Sequence, residues 1–205
     1  MEILNFDLAS LVKTAGYLGI FAIIFAESGL FIGFFLPGDS LLFTAGFLAS
    51  QGFLNIWLLG PIVFAAAILG DNFGYAFGRK VGPSLFNKED SFFFHKDHVE
   101  RARIFYEKNG PLMIVLARFL PVIRTFAPIL AGVGKMRYSS FFFYNVVGGI
   151  LWALGITWLG YFLGSTVPGI DKYLIPIILG VVVISSLPTV IHIIKNYDFA
   201  LKRDE

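Results

Sequence analysis

Residues 55–78 are almost uninterrupted apolar, Gly and Ala sequence. As a helix they extend roughly 36 Å, enough to cross the ~30 Å hydrocarbon layer of a bilayer with some tilt. Residues 139–164, with Ser139-Ser140 as the expected N-cap, and residues 173–194 form two further predicted spans. Residues 10–27 make a fourth candidate, bounded by Lys13 and Glu27. Composition agrees: 57% of the 205 residues are hydrophobic and 15% charged, and the mean hydropathy of +0.76 lies far outside the range of a soluble domain. The chain is therefore read as a membrane protein. Its acidic start, Met1-Glu2, lacks the basic region of a secretory signal and is expected to belong to the mature chain.

Two other apolar stretches are broken at their middle. In the first, Ser28 to Leu36 is followed by Pro37-Gly38-Asp39-Ser40 and then Leu41 to Ala49. In the second, Pro111 to Ala117 leads into Arg118-Phe119-Leu120-Pro121-Val122-Ile123-Arg124 and then Thr125 to Val133. Each half has about ten residues or fewer, short of the ~20 needed to span. Both stretches are read as re-entrant helical hairpins, because irregular backbone survives at membrane depth only inside protein or beside a wet cavity. A full span kinked at proline is the alternative.

An internal repeat links the two stretches. Gly74-Tyr75-Ala76-Phe77-Gly78 resembles Gly160-Tyr161-Phe162-Leu163-Gly164, and Phe35-Leu36-Pro37 and Phe119-Leu120-Pro121 precede them at nearly the same offset. The expected fold is thus an all-α polytopic membrane protein of one domain, residues 1–205, with two inverted-topology repeats. Each repeat is a re-entrant hairpin followed by a transmembrane helix, at about 15–83 and 111–168, with added N- and C-terminal helices, the latter at about 173–194. A polar connector lies at about 84–110. Arg79, Lys80, Lys88, Lys96, Arg101, Arg103 and Lys108 cluster in it and just before it, so the basic loop 79–110 is expected to be cytoplasmic. Lys135, Arg137 and the C-terminus are expected on the same side. Asp97-His98-Val99-Glu100 resembles a capping box for a short interfacial helix, with a solvated connector as the alternative.

Five ionisable residues remain inside the apolar segments: Glu27, Asp39, Asp71, Arg118 and Arg124. At roughly 2.5 to 3.5 kcal/mol each, five isolated charges would cost more than about 10 kcal/mol, so they must share partners or water. The simplest arrangement sets Glu27 and Asp39 of the first hairpin against Arg118 and Arg124 of the second, with Asp71 approaching from the neighbouring span. Burial and a nearby arginine pull a carboxyl in opposite directions, and the residues alone leave the outcome open. Asp71 is a supporting residue that caps or hydrogen-bonds Tyr75, and Pro37 and Pro121 mark the hairpin breaks. Static ion pairing that holds the hairpin tips together is the competing reading.

Weaker patterns carry less. His95 and His98 have a spacing that suits metal but no third ligand, and no metal site is expected. Gly74, Gly78 and Gly82 form a stripe that marks close helix packing. There is no cysteine, which excludes disulfides and thiol chemistry. No nucleophile elbow, phosphate loop or nucleic-acid motif occurs, so neither an enzyme, a cofactor nor a nucleic-acid partner is expected.

Taken together, Glu27 followed by Phe31-Ile32-Gly33-Phe34-Phe35-Leu36-Pro37-Gly38-Asp39, then Gly70-Asp71-Asn72-Phe73-Gly74-Tyr75-Ala76-Phe77-Gly78-Arg79, then Arg118-Phe119-Leu120-Pro121-Val122-Ile123-Arg124 resembles the DedA family, related to VTT-domain lipid scramblases. The resemblance spans about residues 15–170. It implies a bacterial inner-membrane transporter or flippase for a phosphate-bearing lipid, of the undecaprenyl phosphate or phosphatidylethanolamine type, dependent on the proton motive force. It also places the family's essential acids and arginines on Glu27, Asp39, Arg118 and Arg124. Chemistry agrees with that assignment: guanidinium stays charged and forks onto phosphate oxygens, while Glu27 and Asp39 are candidates for proton coupling. A proton-coupled solute antiporter and a non-transporting membrane organiser are the alternatives, and monomer and homodimer both stay open.

Overall fold

A computed structural model describes residues 8–30, 36–86, 110–167 and 180. All regular structure among them is helical. Six helices follow in order: α1 (Leu8–Gly29), α2 (Gly38–Ser50), α3 (Ile56–Phe86), α4 (Leu112–Ala117), α5 (Pro121–Val133) and α6 (Tyr138–Thr166). The apolar parts of α3 (Ile56–Val81, 26 residues) and α6 (29 residues) are long enough to cross a bilayer, at about 39 Å and 43 Å. The predicted C-terminal span, the capping box and the two histidines lie outside the described residues, as does most of the basic connector.

Several boundaries differ from expectation for physical reasons. Gly16, at φ 57°, kinks α1 and leaves Gly16–Gly29 as its apolar segment. That piece is about 21 Å long, short of a straight crossing. Helix α3 continues past Gly78 to Phe86. Helix α6 starts at Tyr138 after Arg137 in extended conformation, with no side-chain cap, so Ser139-Ser140 is not its N-cap. The preceding turn explains this. Lys135 takes φ 54° and its N–H bonds Gly132 O at 3.1 Å, while Met136 N–H bonds Ala131 O at 3.0 Å. This left-handed C-cap ends α5 and delivers the chain straight into α6.

Glycine sets how closely the helices pack. Helix α2 runs along Gly155–Thr166, the C-terminal part of α6, and α5 runs along α3. In the first pair a side chain on Gly46 would strike Thr157 O, and one on Gly160 would strike Phe43 O. In the second, one on Gly78 would strike Ile129 O and one on Gly132 would strike Tyr75 O. Backbones therefore touch directly, as small residues permit in membrane interfaces. Both seams join residues from different halves of the sequence. The Gly74/Gly78 stripe thus serves helix packing, as its spacing suggested.

The apolar core, with Ile20, Ile24, Leu41, Leu42, Phe43, Leu59, Val63 and Trp152, lies among α1, α2, α3 and α6. Trp57, near the start of α3, meets Trp158 edge-on at 5.3 Å. Arg79 lies 22 residues further along α3, about 33 Å away. An aromatic end and a basic end thus bracket a slab matching the hydrocarbon thickness. Asp71 sits about 12 Å inside the basic end. Arg79 Nη1 donates to Met136 O at 3.4 Å, so Lys135 and Arg137 share that end with Arg79 and Lys80.

Candidate functional site

The breaks in the chain explain how Glu27, Asp39 and Arg124 meet. Glu27 is in the last turn of α1, Asp39 in the first turn of α2 and Arg124 in the first turn of α5. Each charge therefore projects from a helix end, where a change of chain direction brings elements together. Gly38 makes the approach possible: a side chain there would fall on the Glu27 carboxylate. In the motif Pro37-Gly38-Asp39, proline precedes the helix, glycine leaves room for one acid and aspartate supplies the other. Arg124 Nη1 donates to Asp39 Oδ1 at 2.6 Å, and Arg124 Nη2 pairs with Glu27. Trp152 Nε1 donates to the same Asp39 oxygen at 2.6 Å. Thr125, next to Arg124, donates to Glu27 O at 3.4 Å.

Arg118 occupies a separate cluster. Its Nη2 donates to Asp71 Oδ2 at 2.5 Å and to Asn145 Oδ1, and reaches Ala67 O at 3.5 Å. Asn145 Nδ2 in turn donates to Ile68 O at 3.3 Å. Here the partners stand on the unbroken helices α3 and α6. Gly148 makes the room, since a side chain on it would lie 2.8 Å from Arg118 Cδ.

The expected arrangement is thus resolved into two parts. Arg124 meets Glu27 and Asp39, whereas Arg118 meets Asp71 and neither of those acids. Asp71 does not bond Tyr75, whose hydroxyl donates instead to Met136 O at 2.6 Å. Pro121 opens α5 at its first position, where a missing N–H costs no helical bond. Pro37 precedes the first residue of α2.

Trp152 touches both clusters, with its ring centroid 4.8 Å from Arg124 Cζ and 5.8 Å from Arg118 Cζ. A guanidinium over an indole face is attracted by the ring quadrupole. Trp152 lies in the π-helical segment Ile150–Leu154 of α6, a local widening frequent at functional sites. Trp152 and Asn145 are uncharged and so stand outside the set of ionisable residues that the sequence points to. Signals were present: tryptophan prefers the membrane interface, and one midway along a span, like an asparagine there, needs a buried polar partner.

All five charged residues are 1% to 8% exposed. Two acids share Arg124, while one acid faces Arg118, so the first cluster holds one more carboxyl than cation. Glu27 Oε2, Arg118 Nε and Arg124 Nε make no hydrogen bond among the described residues. Both guanidiniums thus keep donor capacity for an anion, and the extra carboxyl gives the first cluster capacity for a proton.

A helical protein with spans of bilayer length and charges paired at membrane depth is a helical membrane protein. Comparison narrows the class. A VTT domain matches residues 36–162. The chain is 45% identical over 201 residues to protein DedA of Escherichia coli K12, covering 95% of this chain and 91% of that one. It is 50% identical over 175 residues to an uncharacterized membrane protein of Mycobacterium leprae, covering 85% and 78%. With the E. coli inner membrane protein YghB it shares 35% identity over 157 residues, covering 77% and 71%. The chain belongs to the DedA family of VTT-domain membrane proteins. No solved structure matches it.

Proposed function

We propose that this protein moves a phosphate-bearing lipid, of the undecaprenyl phosphate or phosphatidylethanolamine type, across the bacterial cytoplasmic membrane, coupled to the proton motive force. The observation that carries this reading is the buried Arg124, held by two acids from either side of the Pro37-Gly38 break. Ionised, the two carboxylates occupy the guanidinium and exclude a phosphate by like-charge repulsion. Protonated, they release it. A lipid phosphate then takes the fork geometry that guanidinium offers, with Arg118, beside the same Trp152 ring, as the second cation. Deprotonation on the other side reverses the exchange.

In this reading Pro37 and Pro121 sit at the tips of two re-entrant hairpins of an inverted repeat, and the two glycine seams are the surfaces that slide when access alternates. The basic end faces the cytoplasm. The conformation described is the closed one, since the arginines are buried. The test is reconstitution into liposomes with a panel of labelled headgroups. Translocation of a phosphate-bearing lipid, lost in Arg118→Ala and Arg124→Ala, supports the proposal. A pH-driven ion flux with no lipid movement would replace it with the antiporter reading, and inactivity in both assays would leave a membrane organiser.

A further inference from the structure

A cavity of about 470 Å³ opens at the basic end of α3, lined by Asn72, Tyr75, Ala76, Arg79, Lys80 and Tyr138. It is separate from the arginine clusters: none of Glu27, Asp39, Asp71, Arg118 or Arg124 lines it. Its lining among the described residues includes two cations, two phenols and an amide, and no carboxylate. The frame is fixed by hydrogen bonds. Tyr75 Oη donates to Met136 O at 2.6 Å, Arg79 Nη1 donates to Tyr75 Oη at 3.1 Å, and Tyr138 Oη donates to Asn72 Oδ1 at 2.9 Å. Among the described residues Arg79 bonds through Nη1 alone, which leaves Nε and Nη2 without a described partner.

The outer surface beside this cavity is apolar. Phe73, Phe77 and Lys80 follow at i, i+4 and i+7, so they form one stripe along α3 that ends in an ammonium group. Phe73 and Phe77 are 48% and 40% exposed, and Phe142, which packs 5.9 Å from Tyr138, is 42% exposed. An apolar stripe that ends at cations on the wall of a cavity has the shape of a lipid contact: acyl chain along the rings, anionic headgroup beside the cations.

We infer that this cavity is a second binding site, for the phosphate group of an anionic lipid held at the membrane boundary by Arg79, Lys80 and Tyr138. The inference does not depend on transport through the arginine clusters. A soluble phosphate has the same headgroup chemistry, and the aromatic stripe favours the lipid.

The test uses the full chain, released from nanodiscs of phosphatidylcholine with phosphatidylglycerol and read by native mass spectrometry. Wild type is expected to retain phosphatidylglycerol over phosphatidylcholine. Lys80→Gln, at an exposed position, is expected to lower that retention several-fold, and Arg79→Gln with Lys80→Gln at least tenfold. Arg79→Lys should keep part of it, because charge is preserved. A parallel arm adds inorganic phosphate: failure of millimolar phosphate to displace the lipid assigns the site to lipid, and displacement assigns it to a free phosphate anion. Every variant leaves the Arg118 and Arg124 clusters untouched, so a loss of retention is read at the boundary cavity. Equal retention in wild type, Lys80→Gln and the double variant would overturn the inference.

Discussion

Arg124 and Arg118 are buried to a similar degree, both approach the Trp152 indole ring, and are solvated by the protein in different ways. Arg124 is held by two carboxylates that project from helix ends next to chain breaks. Arg118 is held by one carboxylate, one amide and a backbone carbonyl on helices that run without interruption. The second cluster balances its charge, and its partners stand within α3 and α6 rather than at their ends. The first has an acid in excess, and its two acids stand on either side of the Pro37-Gly38 break. We read the Arg118 cluster as the fixed part of the site and the Arg124 cluster as the part that changes charge and position.

Removing Arg124 should have the largest effect. Arg124→Ala leaves two acids buried without a cation, which should cost about 3 to 5 kcal/mol of stability and abolish lipid translocation. Adding Glu27→Gln and Asp39→Asn to that variant should recover stability in thermal unfolding but not transport. Asp71→Asn should come next, with a loss of about 3 kcal/mol, because Arg118 then keeps only neutral partners. Its residual transport should retain the wild-type pH response, and a pH response altered as by neutralising Glu27 would erase the distinction between the clusters. Gly38→Ala changes no charge but places a methyl group where the Glu27 carboxylate lies. It should reduce transport severalfold and weaken pH dependence, measured in the same liposomes. The smallest effect is expected from Trp152→Phe, which keeps an aromatic ring beside both arginines and deletes one bond to Asp39. A loss of about 1.5 to 3 kcal/mol with the pH response intact would mark Trp152 as a positioning residue.

Much of this arrangement was legible in the residues. Charges inside apolar segments had to find one another, and the Pro37 and Pro121 breaks indicated where α2 and α5 begin. The pairing was not legible, because which acid meets which arginine depends on helix rotation and on backbone contacts at Gly46, Gly78, Gly132 and Gly160. Periodicity alone does not fix those. Asn145 and Trp152 escaped because they carry no charge, although each satisfies a buried ion. The start of α6 was misplaced because Lys135 provides the left-handed turn ordinarily assigned to glycine. The boundary cavity was hidden for a related reason: Arg79 and Tyr138 are 59 positions apart in sequence, and only the packing of α3 against the start of α6 joins them.

The most direct measurement follows translocation of a labelled phosphate-bearing lipid by wild type and Glu27→Gln at two pH values. If one acid must be neutralised before Arg124 can accept the headgroup, Glu27→Gln should move lipid at the higher pH as wild type does at the lower, with a flattened pH response. A Glu27→Gln protein with the wild-type pH profile would contradict that exchange.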